Sequence, residues 1–499
     1  MRNIYLVITC FLFYSCSNYS PDIEAVLKQA GSNRGELEKA LNHYKQHPQD
    51  SLKYQATCFL IKNMPYHYSM EEYYLSPTGE KYRPDLSIFN NIEDVKNHCD
   101  SLINNGYKVV QNELNDLKTV DSSFLVNNIE LAFQVWQKPW AREVPFIDFC
   151  RYILPYKAQT EQLSLLRKEM MKRFIPVLDS SNVTNPLDAC ILINERLKRV
   201  MRYERRGIPF YPTIEETLKS GISECEGLCN LGAFVMRAVG IPVAVDQTIW
   251  TKMDLGHNWC AVLSDGKFYS FDPGENSPAE HVQIITQKRY RIPAKVYRSR
   301  FDPFFPDKKS KDDGYDTFLK DPMLYDVTKD YPNKTLDFNI AVDKNITGLS
   351  DLVYLCVYNY YRWQPIAIGV RNDSICSFKN VVGDNIFMVA SSPNGKNLQF
   401  VTAPFYVDEN GTINKFFPQT ETEKILTIKK KPKKIGLIHI LYYWNTDNNR
   451  FTSLNYIENT DTTQTYNQVP KNALLWFAIP KRVYNQRIFF IRNDSILYY

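Results

Sequence analysis

The sequence predicts a multidomain α+β protein: a helical N-terminal region, a mixed α+β core and two C-terminal β-sandwich-like modules. Three observations carry this. The chain has 499 residues, room for three or four domains at about 150 residues each. Its periodicity is helical up to residue 177, mixes helix and strand signals over 178–300, and turns to short β-branched and aromatic runs beyond 336. Its composition tilts toward aromatics, with 33 Tyr and 28 Phe against 19 Gly, as extended β structure favours. Hydrophobic residues at 44% and charged residues at 23% exclude a disordered or fibrous chain. A net charge of +5 over this length leaves no footprint for nucleic acid.

The first element is residues 1–15. Arg2 precedes an apolar run from Ile4 to Phe13, too short to span a bilayer but sized for a signal sequence, and Ser15 stands before Cys16. This resembles a bacterial lipoprotein signal, which implies cleavage before Cys16 and acylation of that cysteine. The expectation is a cell-envelope protein held to the membrane by lipid alone, on the periplasmic face or the cell surface. Of eleven cysteines, Cys10 leaves with the signal and Cys16 takes lipid, so an odd nine remain and at least one thiol stays free.

Residues 16–177 read as helical. Ser20 precedes Pro21 and the stripe Ile23, Val26, Leu27 and Ala30, a cap followed by a helix-starting proline. Asn33 with Glu36 repeats the logic ahead of Leu37, Ala40 and Leu41, and a third helix runs from Leu52 to Ile61. The stretch Trp136 to Tyr156, rich in proline and aromatics, is expected to dock this helical region on the α+β core.

The chemistry lies in 178–300. Leu228, Leu231, Val235 and Val239 fall at helical spacing, and Gly240 with Pro242 stops the run, so a helix begins near Cys225. A cysteine at a helix N-terminus meets the positive end of the dipole and unpaired N–H groups, which favour thiolate. Cys229, one turn later, reads as core. From Gly256 to Pro273 two strands flank Asp265-Gly266, a two-residue hairpin turn. That register sets His257 opposite Gly274 and Asp272 opposite Trp259, making His257 and Asp272 diagonal neighbours about 7–8 Å apart at the backbone. The carboxylate would orient the imidazole and stabilise its protonated form, as a thiolate's partner requires. Cys225, His257 and Asp272 are thus nucleophile, base and orienter. A metal site built on Cys225, Cys229, His257 and Cys260 fails because 257 and 260 point to opposite faces of a strand. No metal or other cofactor is expected.

Cys225-Glu226-Gly227, Gly240-Ile241-Pro242, His257-Asn258-Trp259 and Asp272-Pro273 together resemble the transglutaminase-like superfamily of papain-like fold. The layout as a whole resembles uncharacterised transglutaminase-like lipoproteins of Bacteroides-type bacteria. The resemblance implies acyl transfer or hydrolysis at peptide or glutamine amides through a thioester on Cys225, with Glu226 and Trp259 as candidates for lining the site. Its partner is a peptide or protein substrate, in an envelope or glycan-associated setting.

Residues 301–335 read as linker. Beyond them, 336–420 and 430–499 form two related β modules: Asp384 to Ala390 corresponds to Lys471 to Phe477, and Leu352 to Leu355 to Leu437 to Ile440. The basic Lys429 to Lys434 stretch divides them. An alternative function arises from these modules, a non-catalytic surface lipoprotein in which Tyr358 to Trp363 stacks on glycan or protein and the core is inert scaffold.

Overall fold

The computed structural model describes residues 19–89, 91–204, 209–304, 315, 317–343, 350–429, 440–460, 462–478, 487–493 and 495–499. The signal segment and Cys16 lie outside these, as does most of the basic stretch between the β modules. Among the described residues no helix is long and apolar enough to cross a membrane.

Helices Pro21–Ala30, Arg34–Lys45, Ser51–Asn63 and Ser122–Trp136 share one apolar core in which Leu27, Leu41, Leu60 and Ile129 are wholly buried. The two expected caps act differently. Ser20 Oγ donates to the Asp22 carboxylate. Asn33 continues a helical turn and cannot cap; its amide donates to the carbonyls of Leu117 and Val120, pinning the second helix to a distant segment.

The N-terminal region is not wholly helical, contrary to expectation. Tyr68–Leu75 pairs antiparallel with Lys81–Tyr82 on one side and Lys108–Asn115 on the other. Its buried positions, Ser69, Glu72 and Tyr74, fall on both faces and two of them are polar, so neither face carries an apolar alternation for a pattern search to find. The stretch Trp136 to Tyr156 does join the two cores. Trp136 stacks on Phe149 with ring centroids 4.5 Å apart, and Trp140 donates its indole N–H to the carbonyl of Val239 at 2.8 Å.

The helix Cys225–Ala238 is buried from Gly227 onward. Gly240 ends it at φ +85°, where a Cβ would meet the Val135 carbonyl oxygen at 2.8 Å; only glycine serves there. The helix packs on a five-stranded antiparallel sheet ordered Leu324–Asp326, Tyr297–Ser299, Val243–Ile249, Gly256–Ser264 and Lys267–Phe271. The hairpin has the register read from sequence, Ser264 against Lys267 through Cys260 against Phe271. Asp265 and Gly266 both have positive φ, as a two-residue primed turn needs. Residues assigned to the linker supply an edge strand, since Leu324–Asp326 pairs with Tyr297–Ser299. Beneath the sheet Arg298 donates twice to Asp246 at 2.8 Å, both side chains almost fully buried. The Tyr331 hydroxyl donates to the same carboxylate at 2.6 Å.

The strands of the first β module follow one continuous hydrogen-bonded path. Its path runs Thr335–Ala341, Ile375–Val382, Arg362–Asn372, Leu352–Asn359, Asn385–Ser391, Phe405–Val407 and Ile413–Lys415. It curls until Phe338 near one edge meets Phe405 near the other, centroids 6.1 Å apart. The second module does pack two sheets, closing over Leu426, Leu441, Tyr466 and Phe489. It begins at Gln419, because Gln419–Lys429 pairs with Thr463–Lys471. The modules bury a common interface in which Tyr358, Trp363 and Met388 meet Trp444, Ile488 and Phe490. Tyr358 and Trp363 are therefore packing residues.

Candidate active site

The three residues singled out from sequence reach one place by three routes. Cys225 opens its helix after extended Glu224, and no described side chain caps that end, which leaves the first-turn N–H groups directed at the sulfur's surroundings. His257 sits near the start of Gly256–Ser264. Asp272 comes directly after the partner strand Lys267–Phe271. The imidazole Nε2 lies 3.3 Å from Asp272 Oδ1, and Cys225 is near enough to favour the ring's charged form. With Nε2 engaged by the carboxylate, Nδ1 is the nitrogen left for the sulfur. Burial disfavours the charged imidazole, but the hydrogen bonds to Asp272 and Cys225 outweigh it and push His257 up to about 9. Burial likewise opposes ionised Asp272, yet its contacts with His257, the nearby His281 and Asn276 hold its pKa below the ordinary value.

Asp272 is fixed by residues that sequence pattern did not reveal. Asn276 donates to Asp272 Oδ2 at 2.7 Å. Asn194, fully buried on the helix Pro186–Leu197, accepts from the Gly274 N–H at 2.8 Å and donates to the carbonyls of Asp272 and Asn276. His281 Nε2 stands 3.8 Å from Asp272 Oδ1, its other nitrogen 2.8 Å from Ser270 Oγ. A signal for His281 was present: Ser277 and Glu280 form a capping box that starts the helix Pro278–Gln287 and puts His281 in its first turn, above the hairpin.

Trp259 does not line the site. It is wholly buried because strand parity turns it inward beside His257, where it bonds Tyr331 and stacks 6.4 Å from Trp250. Trp250 in turn stacks on the His257 ring at 5.8 Å. These indoles form the floor on which the imidazole rests.

The loop between Ile249 and Gly256 is held from the β modules. Asn359 accepts from the Leu255 N–H at 2.9 Å and donates to the carbonyls of Trp250, Met253 and Leu255. Arg487 bonds Asp254 Oδ1 at 2.7 Å and the carbonyl of Thr251 at 2.6 Å. Lys252 pairs with Asp384 at 2.9 Å.

Glu226 does line open space. A cleft of 660 Å³ runs from Tyr66–Tyr68 and Ala158–Thr160 to Glu226 and Asn258, the sequence neighbours of nucleophile and base. Burial, and then like charge from Glu161, Glu72 and Glu224, raise Glu226 to about 7 despite a hydrogen bond from Tyr211. All nine cysteines of the described chain are free thiols, and Cys225 and Cys58 alone are not buried. Cys229 is core, its carbonyl accepting from Cys260 at 3.6 Å. No group of three metal-ligating side chains occurs among the described residues.

No protein-family model matches the chain, and no curated protein matches it. Among solved structures, a candidate cysteine protease from Cytophaga hutchinsonii is similar at 18% identity over 23% of this chain, with a TM-score of 0.19; the likeness spans 38% of that protein's own length. Red sea bream transglutaminase is similar at 10% identity over 63% of this chain and 70% of its own, with a TM-score of 0.21. At these scores neither adds to what the site's own geometry supports.

Proposed function

We propose that the chain is a transglutaminase-like cysteine enzyme of the cell envelope, anchored through Cys16, that acts on peptide or glutamine amides. The observation that supports this most is the Asp272 carboxylate 3.3 Å from the His257 ring, on an imidazole whose charged form Cys225 also favours. The Cys225 sulfur attacks the amide carbonyl carbon, and the C–S bond forms as charge moves to oxygen, facing the N–H groups of the helix start. His257 gives its proton to the departing nitrogen as the C–N bond breaks, leaving a thioester. Water or an amine then attacks, His257 takes its proton, and the C–S bond breaks to return the thiolate. Hydrolysis is the favoured branch.

The test is iodoacetamide alkylation of the mature protein across pH. Cys225 should react faster than an ordinary thiol of pKa about 8.5, and a Cys225 no faster than that refutes the reading and leaves the inert-scaffold alternative. Incubation with a fluorescent primary amine and a glutamine-containing protein separates the branches. Amine incorporation lost in Cys225→Ala means transfer, whereas new peptide termini without incorporation mean hydrolysis. A lipid analogue should label the wild type and not Cys16→Ala.

A further inference from the structure

Asp272 faces two imidazoles. His257 Nε2 lies 3.3 Å from Oδ1, and His281 Nε2 approaches the same oxygen at 3.8 Å. Oδ2 is taken by the Asn276 amide at 2.7 Å. Both rings also flank one indole, with the Trp259 ring centroid 5.8 Å from that of His257 and 5.4 Å from that of His281. The chemistry proposed above uses His257 and gives His281 no part, although His281 is buried and a buried imidazole must have its polar atoms answered.

The surroundings of His281 fix what it offers to Oδ1. Its place in the first turn of the helix Pro278–Gln287 sets it at the positive end of the helix dipole, which disfavours a cation. Burial opposes the charged form as well and holds its pKa below the ordinary value. The ring is therefore neutral, with one N–H. Ser270, on the strand Lys267–Phe271, sets its Oγ 2.8 Å from Nδ1. With the proton on Nδ1, a lone pair on Nε2 would face the carboxylate. With the proton on Nε2, the serine hydroxyl donates to Nδ1 and the Nε2–H faces Oδ1, so this second tautomer is the favoured one. Other charged or titratable groups around His281 are His257 and Asp246 from the sheet and Arg291 beyond its own helix. Asp246 is already held by Arg298 and Tyr331. Glu275, in the same turn as Asp272, also faces the dyad.

At 3.8 Å the contact is longer than a hydrogen bond, yet an N–H dipole facing a buried carboxylate still stabilises its charge. That stabilisation is greater when His257 is neutral and the carboxylate stands alone than when an imidazolium answers it. Resting on the reading of His257 as the proton carrier for Cys225, we infer that His281 is a positioning residue that shares the Asp272 carboxylate with His257 and so loosens the hold of His257 on its proton. A base paired with a buried carboxylate binds its proton firmly. Acyl transfer nevertheless requires it to give that proton to the departing nitrogen and to take another from the attacking water or amine.

The test is an NMR titration of the His257 ring in the mature full-length protein labelled with ¹⁵N-histidine. Wild type is compared with His281→Leu, and the pair is repeated on a Cys225→Ala background. Removing the N–H donor should raise the His257 midpoint by about half a unit to one unit, roughly three- to ten-fold in proton affinity, the scale of a long charge-assisted contact. A role in packing alone predicts otherwise, because leucine fills the space and any slip of Asp272 would let His257 fall toward its ordinary value. A rise below about 0.3 unit, or a fall, therefore overturns the inference. His281→Gln places an amide N–H near the position of Nε2 and should give a smaller rise than leucine; an equal rise overturns the donor role. The Cys225→Ala pair carries no nucleophile, so its titrations decide the inference even where iodoacetamide finds Cys225 to be an ordinary thiol and the proposed chemistry falls. Where His281→Leu does not fold, the ring ¹⁵N shifts of the unaltered protein decide instead. His281 should then be neutral with its proton on Nε2, and an imidazolium or an Nδ1–H form at neutral pH overturns the inference.

Discussion

Replacing Asp272 by Asn leaves the shape of the turn and removes one charge. In the native site His257 rises from 6.5 to about 9. At about 1.36 kcal/mol per unit, this is about 3 kcal/mol of preference for imidazolium, held against burial in a largely enclosed position. Asp272 is the first partner that sustains it. Without the carboxylate the burial penalty stands and His257 should fall by about 2 units, the usual effect of one close opposite charge. The assay is an NMR titration of the His257 ring in both proteins, assigned with a His257→Gln control. The sign of the stability effect comes from the same shifts. The folded imidazole is more basic than the unfolded one, so its contribution is complete below about pH 6.5 and disappears as pH rises through about 9. Asp272 is more acidic folded than unfolded, so its contribution is present above its ordinary pKa and is lost as pH falls through the depressed one. The melting-temperature gap between wild type and Asp272→Asn should therefore be widest between about pH 4 and 6.5 and narrow as pH rises through about 9. A His257 titration that moves by less than half a unit in the variant, or sits near 6.5 in the wild type, refutes the electrostatic account of the dyad.

Asp246→Asn leaves the buried Arg298 guanidinium with the Asp330 carboxylate at 3.1 Å as its remaining partner, and should lower unfolding free energy by about 3 kcal/mol in urea titration, the low end for a broken buried pair; a loss below about 1 kcal/mol would mean that Asp330 or water answers the guanidinium. Gly232→Ala sets a methyl 2.5 Å from Pro273 Cβ, so helix and turn must part, at about 1–3 kcal/mol of stability by chemical denaturation; slower Cys225 alkylation should accompany it. Asn359→Leu removes four hydrogen bonds from the loop before His257. Amide exchange over 250–257 should then accelerate at least ten-fold, as loss of one to two net hydrogen bonds of about 1 kcal/mol each requires. Unchanged protection would show the loop to be held by its own contacts.

What sequence could reveal here was whatever is local. The Asp265-Gly266 turn dictates its register, parity then decides that His257 and Asp272 share a face, and the Gly240 and Pro242 stop defines where the Cys225 helix lies. Each depends on residues within a few positions of one another. The strand Tyr68–Leu75 was hidden because its buried positions, Ser69, Glu72 and Tyr74, are split between both faces and two of them are polar, so neither face shows an apolar pattern. Trp259 was misjudged because parity tells which face a residue takes but not which face is covered. A small hollow draws Glu72, Glu161 and Glu226 from segments far apart in the chain, and no periodicity links such positions. Asn359 and Arg487 escaped notice for the same reason, as ordinary polar residues in β-rich sequence.

Arg487 and Asp254, which it holds, are 233 positions apart. A ribosome therefore releases the nucleophile, the base and the orienter long before it releases the residue that braces the loop leading into the base. Until the final β module has closed on its partner, the loop leading into the base lacks its Arg487 brace. The order of synthesis therefore makes this brace one of the last contacts that the chain can form.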